Sequence, residues 1–211
     1  MTIDPRTVSA TDIYKVMIGI IVPRPIAFVS TVDRDGVRNL APFSFFTGVS
    51  ADPPVVCFAP VRNLRGVVKD TRNNIEATGE FVISVVSEDL AERMNQTAPE
   101  FDPGVDEFAV AGLTPLTSDL VKAPRVKESP AAMECRLLQI VDFSQKPLGG
   151  CLIIGEIVRF HIDDNCIDNF RVDPDALRAI GRMAGNAYAR TRDRFDMVRP
   201  SVTSVLRSPG L

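Results

Sequence analysis

Two groups of residues in the first third of the chain could do chemistry. Lys69-Asp70-Thr71 places a cation, a carboxylate and a hydroxyl at the start of a predicted helix. A cation beside the free N–H groups of a helix start makes an anion site. Arg62 and Arg65 precede it in a predicted loop, and Arg72 follows. Residues 24 to 72 carry seven basic and four acidic side chains, a net +3 on a chain of net −3. A locally positive region of this kind attracts a small anion such as a phosphate. The same residues also fit a plainer role, in which Asp70 or Thr71 caps the helix and Lys69 is solvated. The second group is Ala41-Pro42-Phe43-Ser44-Phe45-Phe46, with Asn39 before it and Thr47 after. Pro42 cannot donate to a central ladder, so strand pairing is expected to break there and leave backbone groups open. Polar side chains beside three phenylalanines suit a flat heteroaromatic ring with polar edges. Successive phenylalanines alternate in direction, so some of the three must belong to the core.

Other chemistries find no support. The single histidine, His161, lies in an apolar strand, where a structural or surface role is commoner than catalysis. There is no HExxH, no GxSxG elbow, no GxxxxGK[ST] loop and no GxGxxG after a strand. A nicotinamide, if used, is therefore not held by a Rossmann domain. Asp163-Asp164 reads as a solvated turn. Cysteines stand at 57, 135, 151 and 166, none in CxxC spacing. They are expected to be buried, inert thiols, with no metal site, and reduced thiols fit a cytoplasmic protein. The negative net charge argues against general nucleic-acid binding. The longest apolar stretch, Val16 to Val22, ends at Pro23, far short of the ~20 residues of a membrane span. The opening Met-Thr-Ile-Asp-Pro-Arg lacks the pattern of a secretory signal.

The elements that must position these groups can be placed in order. Ser9 to Asp12 starts a helix to about Gly19, and Pro23 and Pro25 then force an extended entry. Ile26 to Val32 is a strand, Asp33 to Gly36 a tight turn, and Val37 to Leu40 the return. Val55 to Ala59 is a buried strand after the Asp52-Pro53-Pro54 turn. The helix at Asp70 ends with Gly79 at C′. Phe81 to Val86 is a strand, and Ser87 caps an amphipathic helix from Glu88 to about Thr97. Residues 98 to 130, rich in proline, read as an excursion of short strands and turns in which Phe101, Phe108, Leu113 and Leu116 need burial. Ala132 to Phe143 and Cys151 to His161 form an antiparallel pair, with a bulge expected at Gly155. Asp173-Pro174-Asp175 starts a helix to about Ile180. An arginine-rich tail follows, which also fits an exposed basic helix. Many short strands with peripheral helices predict a mainly β barrel with helical decoration. It is expected as one domain over residues 1–211, with a helical and irregular C-terminal extension from about residue 165.

The motifs Arg24-Pro-Ile-Ala-Phe-Val-Ser-Thr, Asn39-Leu-Ala-Pro-Phe-Ser-Phe-Phe, Pro53-Pro-Val-Val and Lys69-Asp-Thr occur in this order. Together they resemble the flavin reductase-like family of FMN-binding split barrels, and the resemblance runs over at least residues 15 to 200. It implies a six-stranded Greek-key split barrel, usually a homodimer with flavin near the subunit interface. It implies that Arg62, Lys69, Asp70 and Thr71 hold the FMN phosphate. The isoalloxazine would lie against Ser30, Thr31, Asn39, Ala41, Pro42, Phe43, Ser44 and Phe45. Arg182 and Tyr188 would return towards the flavin, from either subunit. The implied activity is NAD(P)H-dependent flavin reduction, with a partner monooxygenase or other electron acceptor. A flavoredoxin-type FMN electron carrier is the alternative, and a barrel that has lost flavin is a third.

Overall fold

β-Branched and aromatic residues build seven strands, which the computed structural model joins in one antiparallel sheet. They are β1 (Ala27–Val32), β2 (Arg38–Phe43), β3 (Phe46–Ala51), β4 (Pro54–Phe58), β5 (Glu80–Val85), β6 (Ala131–Asp142) and β7 (Cys151–Ile162). The structure describes residues 1–202, so residues 203–211 of the expected C-terminal extension lie outside the described residues. The strand order is β2-β1-β5-β6-β7-β4-β3. The two edge strands, β2 and β3, are thus consecutive in the chain, with only Ser44 and Phe45 between them. A link that short spans roughly 10 Å at most. The sheet must therefore curl until its edges meet without pairing. The result is the expected mainly β split barrel with peripheral helices.

The sheet has seven strands where six were expected, because Phe46–Ala51 pairs with β4 from Phe46↔Phe58 to Ala51↔Pro54. Pairing also does not break at Pro42, which lies opposite Phe28 in an unbroken β1/β2 register. The reason is its place on an edge strand. Leu40, two residues earlier, donates its N–H outwards to Glu107 Oε2 at 2.9 Å. Backbone groups two residues apart point the same way in a strand, so the missing N–H of Pro42 is on the unpaired side.

Every residue of β1 is buried, because the barrel has a core on each side of it. Inside, Ala27 and Val29 meet Phe58, Phe81, Ile83 and Ile153. Outside, Ile26 and Phe28 meet Leu40, Leu90, Met94, Phe108 and Leu113. The outer core lies under the excursion of residues 98–130, which contains the short helix α4 (Glu107–Val110) and the hairpin Pro115–Leu116/Arg125–Val126. Phe108 and Leu113 are buried as expected, whereas Phe101 is half-buried and Leu116 is exposed. Polar side chains fix the excursion to the sheet. Ser30 donates to the Pro124 carbonyl, and Ser129 donates to the Val85 carbonyl at 2.8 Å. Glu134, fully buried on β6, accepts from the Asp119 and Leu120 amides at 2.7 and 2.6 Å. His161 Nε2 lies 2.6 Å from Glu134 Oε1.

The helices follow their caps. Helix α1 (Ala10–Ile20) starts at Ser9, whose hydroxyl accepts from the Asp12 amide, and buries no residue. Helix α2 (Asp70–Thr78) closes one end of the barrel with Ile75 and ends at Gly79 in the left-handed region. The helix expected from Glu88 starts as a 3-10 turn, Glu88–Leu90, and Ser87 gives it no side-chain cap; α3 (Ala91–Gln96) follows. The expected Asp173 cap with Pro174 at the first turn is present. Yet α5 (Pro174–Leu177) stops short of Ile180, because Arg178 turns left-handed at φ 48°. From Tyr188 to Arg199 the arginine-rich tail is not a helix. Ile180–Arg182 pairs with Arg24–Pro25 on one side and Tyr188–Arg190 on the other.

Two predictions follow from the packing. The expected bulge is present at Gly155, where a Cβ would stand 2.8 Å from Phe81 Cε1 and closer still to Cζ. Gly155→Ala should destabilise the fold by roughly 1–3 kcal/mol, and adding Phe81→Leu should recover part of it in urea unfolding. Burial alone would raise the Glu134 carboxyl, but hydrogen bonds from the Asp119 amide, His161 and the Leu120 amide outweigh it and leave it below its ordinary 4.5. Its contribution is therefore complete above pH 4.5 and lost as pH falls through the lower folded value. Glu134→Gln should cost roughly 2–4 kcal/mol at pH 7, and the gap to the parent should narrow in acid, read from melting curves between pH 7 and 3.

Candidate functional site

Helix α2 begins without a side-chain cap. Its N-cap residue is Lys69, and neither Asp70 nor Thr71 takes the capping role that the sequence suggested. Thr71 is buried and its hydroxyl is engaged elsewhere, accepting from Asn39 Nδ2 at 2.9 Å. The Lys69 carbonyl accepts from the Arg72 and Asn73 amides. The amides of Asp70 and Thr71 precede the helical ladder and face the loop side, as helix-start N–H groups do. The Asn39–Thr71 bond joins the edge strand β2 directly to this helix start.

A cavity of about 210 Å3 opens there. Its walls are Asn39, Ala41, Pro42 and Phe43 from β2, residues 67–71 from the approach to α2, and residues 97–103 with Glu107 from the excursion. A neighbouring open depression of about 470 Å3 is lined by Tyr14, Arg62, Leu64 and Leu148. The two share Asn63, Arg65, Lys69 and Glu100. Lys69 Nζ stands 2.8 Å from Glu100 Oε1, and Asn63 Nδ2 donates to Glu100 Oε2 at 2.9 Å. Arg62 Nη1 donates to the Gly66 carbonyl at 3.1 Å, so the loop folds back on itself. Glu107 is buried, and its carboxyl is pushed up by burial and by Asp106 and Asp70, against the Leu40 amide that donates to it.

The structure thus brings together Asn39, Ala41, Pro42, Phe43, Lys69, Asp70 and Thr71, with Arg62 on the adjoining depression. The other expected site residues stand behind or away from these walls. Ser30 and Thr31 are fully buried, Ser30 bonded to Pro124 and Thr31 Oγ1 accepting from Asn74 Nδ2 at 3.0 Å. Ser44 Oγ accepts from Arg24 Nε at 3.2 Å. Phe45 meets Tyr14 edge-on, with ring centres 6.3 Å apart, and lies under the Arg24 guanidinium. Phe43, although it lines the cleft, also packs its ring on the barrel core, with ring centres 5.2 Å from Phe58. Arg182 stacks on Tyr188, whose hydroxyl donates to Asn95 Oδ1 at 3.3 Å. That pair is next to α3, which leads into the wall of residues 97–103. The walls from Asn63, Glu100 and Glu107 went unforeseen. Only the need to bury Phe101, Phe108, Leu113 and Leu116 marked the excursion as more than a linker.

Among the described residues, Asp119, Glu134 and His161 could together reach a metal ion. The Glu134 oxygens already accept two amides and the imidazole, so the group is sufficient as an anchor for the excursion. The four cysteines are free. Burial pushes the thiols of Cys57, Cys135 and Cys151 up, which leaves them weak nucleophiles. No helix among the described residues is long and apolar enough to cross a membrane.

An anion-ready helix start at the rim of an aromatic, amide-edged cleft suits a phosphorylated flat ring. Comparison with known proteins points the same way. Residues 19–199 match the family described as flavin reductase like domain. An uncharacterized protein of Aquifex aeolicus is 42% identical over 179 residues, covering 84% of this chain and 89% of its own. Nitrilotriacetate monooxygenase component B from Bacillus cereus superposes with a TM-score of 0.89 at 35% identity, over 93% of this chain and 98% of that one. The 2-nitrobenzoate 2-nitroreductase of Pseudomonas fluorescens superposes with a TM-score of 0.86 at 32% identity, over 96% and 98%.

Proposed function

The chain belongs to the flavin reductase-like family, and from that premise we propose that it binds FMN and reduces it with NAD(P)H. The observation that carries this reading is the uncapped start of α2, led by Lys69, at the rim of the cleft walled by β2. The residues fit the group. Lys69 and the amides at the start of α2 hold the phosphate, and Arg62 adds positive charge from the loop. The Asp70 carboxylate favours the helix start but repels a phosphate, so Asp70 contributes through its backbone. Asn39, Ala41, Pro42 and Phe43 flank the ring. Leu40 and Pro42 direct backbone groups to the unpaired edge, and the Pro42 carbonyl is an acceptor there. Ser30, Thr31, Ser44 and Phe45 support these walls from behind, and Arg182 with Tyr188 is tied to α3 through Asn95, outside the cleft's lining.

The bound flavin would supply hydride acceptance from a reduced nicotinamide. The chain's own residues bind, orient and shield it, and no side-chain acid or base is required. Electrons then pass to a partner monooxygenase or another acceptor. The similarity to a protein described as a monooxygenase component supports such a partner. An electron carrier of flavoredoxin type would share the same cleft and differ only in lacking the nicotinamide step.

The assembly is proposed to be a homodimer. Helix α1 buries nothing, Met17 and Ile20 stand exposed on it, and Ile21 is exposed just after it. Strand β3 is an edge that is exposed from Thr47 to Ala51, an arrangement that a partner surface would cover. Tyr14 of α1 also lines the depression beside Lys69, so a second copy on this face would adjoin the flavin. The free thiols fit a reducing cytoplasm.

Purified protein should bind FMN, and anaerobic NADH or NADPH should bleach the visible flavin band. FMN bound but never bleached would leave the carrier, and failure to bind FMN would end the flavin reading. Lys69→Ala should weaken FMN by roughly 1–3 kcal/mol in fluorescence titration and leave riboflavin little changed. Sedimentation should give a dimer, and Ile20→Asp should shift it towards monomer.

A further inference from the structure

Glu100 occupies the cation that the proposed phosphate needs. Its carboxylate takes Lys69 on one oxygen, at 2.8 Å, and Asn63 Nδ2 on the other, at 2.9 Å. This is more than a wandering surface pair. Asn63 is itself held, because its Oδ1 accepts from the Arg65 and Val67 amides at 3.0 and 2.9 Å. The carboxylate is thus placed by a positioned amide and a cation, the donor set that a phosphate oxygen would use. Lys69 and Asn63 hold the Glu100 carboxyl below its ordinary range, so it is anionic at neutral pH. The ion pair also stands where the two depressions join, since both are lined by Asn63, Lys69 and Glu100.

We propose that Glu100 is a built-in stand-in for the ligand's phosphate, which must displace it from Lys69 and which it replaces when the ligand leaves. The inference rests on the FMN reading above and deepens it. A phosphate that enters must separate Lys69 from Glu100 and lie near a second negative charge. A departing phosphate leaves a lysine that is at once re-paired, not a bare cation. Both effects make bound FMN exchangeable. Riboflavin, which has no phosphate, leaves the pair intact and should be indifferent to it. Glu100 therefore sets how strongly the cleft prefers a phosphorylated flavin to an unphosphorylated one.

Glu100→Gln keeps an acceptor for Asn63 but removes the charge. It should tighten FMN about tenfold, the scale of one charge-assisted bond regained, and slow FMN dissociation in stopped-flow. Riboflavin should change by less than about twofold, because no charged group on it meets residue 100. In a Lys69→Ala background the gain from Glu100→Gln should fall below about threefold, since the shared partner is gone. The inference is overturned if the parent binds FMN and Glu100→Gln leaves its affinity and dissociation rate unchanged. It is also overturned if riboflavin gains as much as FMN, which would mean that the substitution merely opens the cleft. Failure of both parent and variant to bind FMN would overturn the flavin reading itself, and this inference with it.

Discussion

The hydrogen bond from Asn39 to Thr71 is the constraint on which the site depends. It ties an edge strand of the barrel to the first turn of a helix. The hydroxyl that could have capped that helix is used for the tie instead. A side-chain cap is worth about 1 kcal/mol to a helix, and α2 forgoes it. The helix is kept in place by tertiary contacts, with Ile75 buried in the barrel end and Asn74 bonded to Thr31. Stability supplied from elsewhere lets the start of α2 do without a side-chain cap, as the proposed phosphate site requires.

The barrel's seam is the second half of the same arrangement. A closed barrel would pair every backbone group and leave no cleft. Here the curl of the sheet brings β2 and β3 together without joining them. The outer side of β2 is therefore free to meet other partners, and Leu40 shows this by donating to Glu107. Pro42 is tolerated on that side because nothing there requires its N–H. An edge strand is usually a liability in a sheet. On this barrel the excursion of residues 98–130 and the approach to α2 cover it and make a cleft of it.

Much of this was legible in the sequence because it is local. The β-branched runs at Ala27–Val32, Pro54–Phe58 and Glu80–Val85 read as strands. Gly79, Gly155 and Asp173-Pro174 each met the local geometry their residue types require. The Lys69 helix start, the polar-aromatic corner and their nearness were read from residue chemistry and from the family's ordered motifs. What escaped was either patternless or distant. Phe46–Ala51, with Gly, Ser and Thr in an exposed edge, has no apolar alternation to announce a strand. The tail arginines at 190 and 192 gave no sign of a hairpin, because what holds them is Glu88, about a hundred residues away. Nothing in the sequence singles out Glu100, Glu107 or Glu134. Their partners, Lys69, Leu40 and His161, lie 31, 67 and 27 residues off in sequence.

The acids around the cleft bear on how tightly an anion is held there. Net charge over residues 24–72, which already includes Asp70, suggests an attractive region, but Glu100, from outside that segment, tempers it. Glu100 neutralises Lys69 at 2.8 Å. Asp70 sits in the first turn of α2. Glu107 is buried under Leu40, and burial there disfavours its charged form. In the proposed site, what remains to attract a phosphate is mainly the oriented amides of α2 together with half-buried Arg62 and with Arg65, which is exposed and more strongly screened. Backbone dipoles act at short range and favour geometry over sheer strength. The proposed site, built on them, would select its ligand by shape and orientation, and release it more readily than a cluster of bare lysines would.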